Sequence, residues 1–146
     1  MEPVNFYTPP FFALNNFSAH QIEYEGHVYP TAEHVFQSVK CLNEQGRAEI
    51  MAAKSPSEAK ALANNKFAEF SDPHWSDKKV SLMEDILRAK LAQHEEVQRV
   101  LASTGSRQIV EDSPTDYFWG EGADGSGKNV LGKLWMKIRN EQAGIG

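Results

Sequence analysis

Cysteine is almost missing from this chain of 146 residues, Cys41 being the only one. A single thiol excludes an internal disulfide framework and any multi-cysteine zinc or iron–sulfur site, and it fits a reducing compartment. Long apolar runs are missing too. No stretch approaches the roughly 18 uninterrupted apolar residues that a membrane-spanning helix needs. Met1-Glu2-Pro3-Val4-Asn5 has neither the basic region nor the apolar core of a signal peptide. The expectation is a cytoplasmic protein with no membrane partner. Positive charge is in deficit: 15 Lys and Arg against 20 Asp and Glu give a net charge of −5. That balance disfavours affinity built on many phosphate contacts along a nucleic acid, but leaves room for a pocket taking one or two phosphates. There is no His-Glu-x-x-His, no calcium-type acidic loop and no paired histidines among the five, so neither metal nor cofactor is expected. A Gly-x-Ser-x-Gly elbow is also lacking, and nothing beside Cys41 marks it as a nucleophile.

What is present reads as one domain over residues 1–146, large enough for a real core. Phe6 to Phe17 is aromatic and broken by Pro9-Pro10, which predicts an extended, irregular opening. Ile22-Glu23-Tyr24 and His27-Val28-Tyr29 flank Glu25-Gly26, the pattern of a tight hairpin. Helical spacing then takes over. Thr31 caps a helix to Leu42, with Ala32, Val35, Val39 and Leu42 inward, and a short helix is expected over Ala48 to Ala53. Ser55-Pro56-Ser57-Glu58 is a capping box that opens a helix to Asn64. Trp75 to His94, Glu95 to Ser103 and a closing helix on Leu131, Leu134, Trp135 and Ile138 complete the set. The fold class is mainly α, a single-domain orthogonal helical bundle with a small N-terminal β-hairpin.

Two nucleotide motifs match only superficially. Gly120-Glu121-Gly122-Ala123-Asp124-Gly125 fits Gly-x-Gly-x-x-Gly without the strand and βαβ unit that give it meaning. Gly122 to Lys128 fits a phosphate loop, but Asn129 stands where Ser or Thr would hold magnesium. A glycine loop running into a helix N-terminus at Asn129 to Leu131 could still offer backbone N–H groups to an anion, or could use glycine only to turn. On the Thr31 helix, Glu33, Phe36, Gln37 and Lys40 share one stripe at i, i+3, i+4 and i+7. A carboxylate, an amide, a ring and an amine together suit a pocket wall, yet a solvated face carries the same residues, and periodicity alone favours that plainer reading. Phe17, Tyr29, Trp75 and Trp119 lie at element boundaries where rings can stack on a base or simply pack the core. Asp112, Asp116, Glu121 and Asp124 are acid–base candidates near the glycine loop, and Lys90 reads as a snorkelling lysine at the edge of an apolar stripe.

Taken together, these blocks carry a resemblance. Asn16-Phe17-Ser18, the run Tyr29 to Lys40, Thr104-Gly105, the run Asp116 to Gly132 and Ile138-Arg139 are similar, in order and spacing, to the NADAR (YbiA-like) family. The resemblance implies a mainly α N-glycosidase that cleaves a ribose–nitrogen bond, in riboflavin-synthesis intermediates or in ADP-ribosylated guanine, alone or within nucleic acid. Carried over by position, Glu33 and Lys40 become the pocket acid and lysine, with Asp116 as a second acid. Trp75, Trp119, Gly120 and Asn129 match further site positions, and Phe17, Tyr29, Gln37 and Gly127 complete the expected substrate-binding set. Relatives often have Gly-Arg ahead of the tryptophan where this chain has Asn65-Lys66, which leaves the phosphate contact unassigned. A non-catalytic module that binds ADP-ribose or another nucleotide is the alternative. It would need the rings and the glycine loop but not Glu33 and Lys40 on one face.

Overall fold

A computed structural model of the chain describes residues 2–144. In order it forms β1 (Val4–Asn5), a 3-10 turn (Phe12–Leu14), β2 (Ile22–Tyr24), β3 (His27–Tyr29), α1 (Ala32–Lys40) and α2 (Glu44–Met51). Then follow α3 (Pro56–Asn64), a second 3-10 turn (Ala68–Phe70), α4 (Trp75–Gln93), α5 (Glu95–Ser103), β4 (Ile109–Val110) and α6 (Val130–Gln142). The fold is mainly α, as expected. No helix among the described residues is long and apolar enough to cross a membrane.

Contacts gather into two compact units, residues 16–93 and residues 1–15 with 94–146. The first is built on local signals. Glu25 and Gly26 take φ of 49° and 84°, both left-handed, and the hairpin pairs Ile22 with Tyr29 across them. Gln93 then fastens α4 to that hairpin by exchanging two hydrogen bonds of 2.8 Å with the Glu23 backbone. Thr31 Oγ1 caps α1 by accepting the His34 N–H. At α3, Ser55 Oγ accepts the Glu58 N–H (3.0 Å) while the Glu58 carboxylate accepts the N–H of Lys54, the residue before the cap (3.1 Å). Cys41, Ile50, Ala53, Ala59, Ala63 and Phe67 form one apolar cluster under α2 and α3.

Three expectations are corrected in this unit. The helix placed at Ala48–Ala53 starts earlier, because Asn43 Oδ1 accepts the Gly46 N–H at 2.8 Å and so caps α2 at Glu44. The helix from Thr31 stops at Lys40 instead of Leu42. Past Lys40 the chain turns extended and pairs with residues 70–72, through Leu42 N–H to Phe70 O (2.8 Å) and Asp72 N–H to Lys40 O (2.9 Å). Lys90 does not snorkel. It is wholly buried, with Nζ donating to Ser18 Oγ at 2.7 Å, and Ser18 in turn meets His20 Nδ1 at 2.7 Å.

In the second unit the opening is less irregular than its prolines suggest. β1 lies parallel to β4, with Val4 opposite Ile109, and Phe12–Leu14 close a 3-10 turn. Trp135 is fully buried on α6 and donates Nε1–H to Leu14 O at 2.9 Å. The glycine loop ends before Gly132, which lies inside α6.

Candidate active site

The first unit assembles the stripe on α1. Glu33, Phe36 and Gln37 are buried and Lys40 is half-buried, so this face is not a solvated one. Its N-terminal end is fixed because the Glu33 N–H donates to Asn16 O at 3.1 Å, which seats the Asn16-Phe17-Ser18 segment beside Glu33. Gln37 donates Nε2–H to Glu33 Oε2 at 2.7 Å. Its own Oε1 is buried and meets no donor among the described residues. An acceptor held in that state is costly unless something else satisfies it, and a substrate N–H or O–H would do so. One turn on, Lys40 Nζ donates to Asn64 Oδ1 at 2.7 Å, reaching from α1 to the end of α3. Desolvation holds the Lys40 amine below its ordinary 10.5. The Glu33 carboxylate pulls it back up, while Lys60 and Lys79 push it further down. The result is an amine that loses its proton more readily than a solvated lysine, which is what nucleophilic use requires.

Trp75 joins this face from α4. The Asp72 carboxylate orders the entry to that helix, accepting the His74 N–H (2.8 Å) and Lys78 Nζ (2.8 Å), while Asp72 O accepts the Trp75 N–H (3.0 Å). The indole then lies 4.9 Å from the Phe36 ring, tilted 56°. Five of the expected residues, Glu33, Gln37, Lys40, Trp75 and Phe17, thus belong to α1 or to segments bonded or packed to it. Tyr29 does not share their face. It lines a cavity of about 410 Å³ with Ser38, Val39 and Arg47, and at 100° per residue Ser38 and Val39 lie on the other side of α1 from Glu33 and Lys40.

The second unit holds the remaining expected residues. Asp116 Oδ1 accepts the Phe118 and Trp119 N–H groups at 3.0 and 2.8 Å, a turn cap that sets the two rings edge to face at 4.9 Å. The glycine loop is not an amide cradle. Residues 127–131 donate their N–H groups in turn to the carbonyls of Glu121, Tyr117, Gly120, Phe118 and Trp119, at 2.7–3.1 Å. Glycine serves close backbone approach here: a Cβ on Gly127 would strike the Gly120 carbonyl, and one on Gly120 would lie 2.8 Å from Glu111 O. Asn129 is buried and left-handed, with φ 50°. Its Nδ2–H donates to Ile109 O and its Oδ1 accepts the Glu111 N–H, both at 2.9 Å. The expectation that Gly127 and the amides through Asn129 and Leu131 meet an anion is therefore corrected, since the fold already uses those donors.

Comparison with known proteins agrees with this architecture. The profile of the NADAR domain matches residues 4–142. The chain belongs to the NADAR family. It is 37% identical over 142 residues to a protein of Shigella flexneri named N-glycosidase YbiA, covering 96% of this chain and 88% of that one. It is 35% identical over 148 residues to the maize chloroplastic riboflavin biosynthesis protein PYRR, covering 92% of this chain and 24% of that protein. The NMR structure of E. coli YbiA superposes with a TM-score of 0.86 at 35% identity, covering 98% of this chain and 87% of that chain. Within the NADAR fold, sequence reasoning missed Asn64, whose contact with Lys40 leaves no periodic trace, and Asn16, which appeared only as part of a block. It also missed Lys60 and Lys79. Their spacings to Asn64 and Trp75 are visible in the sequence, but they gain meaning only once Asn64 is known to bind Lys40 and Trp75 to pack on Phe36.

Proposed function

We propose that this protein is an N-glycosidase that hydrolyses a ribose–nitrogen bond of a phosphoribosylated aminopyrimidine, the kind of intermediate used in riboflavin synthesis. One observation carries the reading: a buried Glu33–Gln37 pair one turn from an amine whose proton is loosened by burial. The names of the relatives support the reaction and the substrate class. ADP-ribosylated guanine has the same bond type and is the second substrate, although the acidic chain disfavours a long nucleic acid as its carrier.

The chemistry follows from the side chains. The base stacks on Trp75, and the open acceptor of Gln37 takes a hydrogen bond from the sugar or base. Neutral Lys40 Nζ attacks C1 and the C1–N bond breaks, while the Glu33 carboxylate takes a proton from the alkylated Nζ and passes it to the departing nitrogen. The sugar ring then opens as the C1–O bond breaks and the remaining Nζ proton passes to the ring oxygen, leaving a Schiff base between C1 and Nζ. Water adds to it, releasing the free sugar and restoring the amine. Glu33 is assigned the proton transfer because it lies on the same face of α1 as Lys40. The test is turnover of the aminopyrimidine nucleotide and of ADP-ribosylated guanine in an oligonucleotide by wild type, Lys40→Ala and Glu33→Ala. Cleavage of either substrate, reduced by several orders of magnitude in both variants, is the expected result. Binding of ADP-ribose without cleavage of either substrate would leave a reader module instead.

A further inference from the structure

Three helices bring lysines to one spot. Phe36 and Lys40 lie one turn apart on α1, and Trp75, which packs on Phe36, lies one turn before Lys79 on α4. Asn64, which binds Lys40 Nζ, lies one turn after Lys60 on α3. Residues four apart share a helix face, so Lys60 lies on the Asn64 face of α3 and Lys79 on the Trp75 face of α4, and the charge of each is felt at Lys40. We propose that Lys60 and Lys79 form an anion subsite that holds the phosphate of the substrate beside the Lys40 amine.

Three observations favour this site over the alternatives. The charges of both lysines are felt at Lys40, beside that of the Glu33 carboxylate, and a phosphate has several oxygens with which to meet such a gathering of ammonium groups. The backbone amides of residues 127–131, the other anion site the sequence offered, are bonded internally. Lys66, the basic residue nearest the position where relatives often carry arginine, is turned away, with Nζ on Glu49 Oε1 at 2.8 Å and over the Phe67 ring at 5.2 Å. The ligand class is a ribose phosphate. A phosphate on Lys60 and Lys79 leaves C1 across the sugar ring, toward Lys40 Nζ and Glu33. The identity of the sugar rests on the function proposed above, whereas the anion subsite does not.

The test uses ribose 5-phosphate and ribose as probes, with binding to the full chain read by calorimetry. Wild type should prefer ribose 5-phosphate at least about tenfold, the size expected of hydrogen bonds to a charged group. Lys60→Ala and Lys79→Ala should each lower the preference several-fold, and the double variant should abolish it. Lys60→Arg and Lys79→Arg should retain it. Lys54→Ala, just before the N-terminal end of α3 and ten residues from Asn64, should bind as wild type does. Lys60 is exposed and Lys79 partly so, so an unchanged melting temperature is expected for each variant. A double variant that keeps the full preference, or a wild type with none, overturns the proposal. A protein that shows the lysine-dependent preference but cleaves neither substrate supports the subsite and sinks only the enzyme reading. One that cleaves its substrate with KM unchanged in the double variant does the reverse.

Discussion

Asn129→Ala separates a structural from a substrate-binding role for the residue that ends the glycine loop. The native side chain joins two backbone groups of the β4 region, donating to Ile109 O and accepting from the Glu111 N–H, both at 2.9 Å. It does so from a left-handed backbone, φ 50°, that asparagine tolerates and alanine resists. Truncation leaves a carbonyl and an amide unpaired at about 1 kcal/mol or more each, and adds about 1 kcal/mol of backbone strain. The sum is about 3–4 kcal/mol. For a chain of this length that lowers Tm by roughly 10–15 °C. Asn129→Gly loses the same hydrogen bonds but relaxes the backbone, so it should be milder by about 1 kcal/mol. The assay is urea unfolding followed by circular dichroism, with kcat/KM measured well below each variant's midpoint. The folded variants should stay within about tenfold of wild type, against the orders of magnitude expected for a catalytic group. A Tm loss under about 3 °C together with a thousandfold loss of kcat/KM would refute the reasoning and return Asn129 to the substrate.

Trp75→Ala should raise KM by about tenfold to a hundredfold and change kcat far less, because ring stacking on a base contributes about 1–3 kcal/mol to binding. Steady-state kinetics decide it, and a kcat effect as large as that of Lys40→Ala would put the indole in the chemistry. On the acid side, kcat/KM should rise with pH as Lys40 loses its proton, on a limb lying below the ordinary lysine value of 10.5. Lys60→Met removes a like charge, raises the affinity of Lys40 for its proton and should move that limb to higher pH; a shift to lower pH would contradict the arrangement. His34 gives a stability prediction. Its Nε2 faces Ala53 O (3.0 Å), so Nε2 carries the proton and Nδ1 accepts the Thr31 hydroxyl (2.8 Å). Burial lowers its pKa from 6.5. Between the lowered value and 6.5 the unfolded chain holds the extra proton, so stability falls as pH drops through that window. Urea midpoints on either side of pH 6.5 should show this slope in wild type and not in His34→Gln.

Legibility followed the range of the interaction. The Glu25-Gly26 turn, the Thr31 and Ser55 caps and the Trp75 to Gln93 helix depend on residues a few positions apart, and the sequence states them directly. The β1 to β4 pairing depends on two dipeptides more than a hundred residues apart, for which local periodicity carries no signal. At the site, the Glu33 to Lys40 stripe was visible as spacing, but its burial was not, because the Asn16 to Ser18 segment and α4 that help cover it come from elsewhere in the chain.

Two lysines show why residue type and spacing cannot assign chemistry by themselves. Lys40 and Lys90 both lie near the C-terminal end of a helix and beside an apolar stripe. Lys90 is sealed in the core on Ser18, where it ties α4 to the segment whose Asn16 carbonyl receives the Glu33 N–H. Lys40 stops half-way out, held by Asn64 and opposed by two other lysines, so it keeps both a loosened proton and a path to solvent. A buried amine without access can only position; an accessible one whose proton is loosened can react. The difference lies in the partners that tertiary structure supplies, and the same holds for the anion. A glycine-rich loop suggested amide donors, but once residues 127–131 bond to residues 117–121, recognition of a phosphate falls to side-chain charge, and the lysines gathered around Lys40 are where this fold places it.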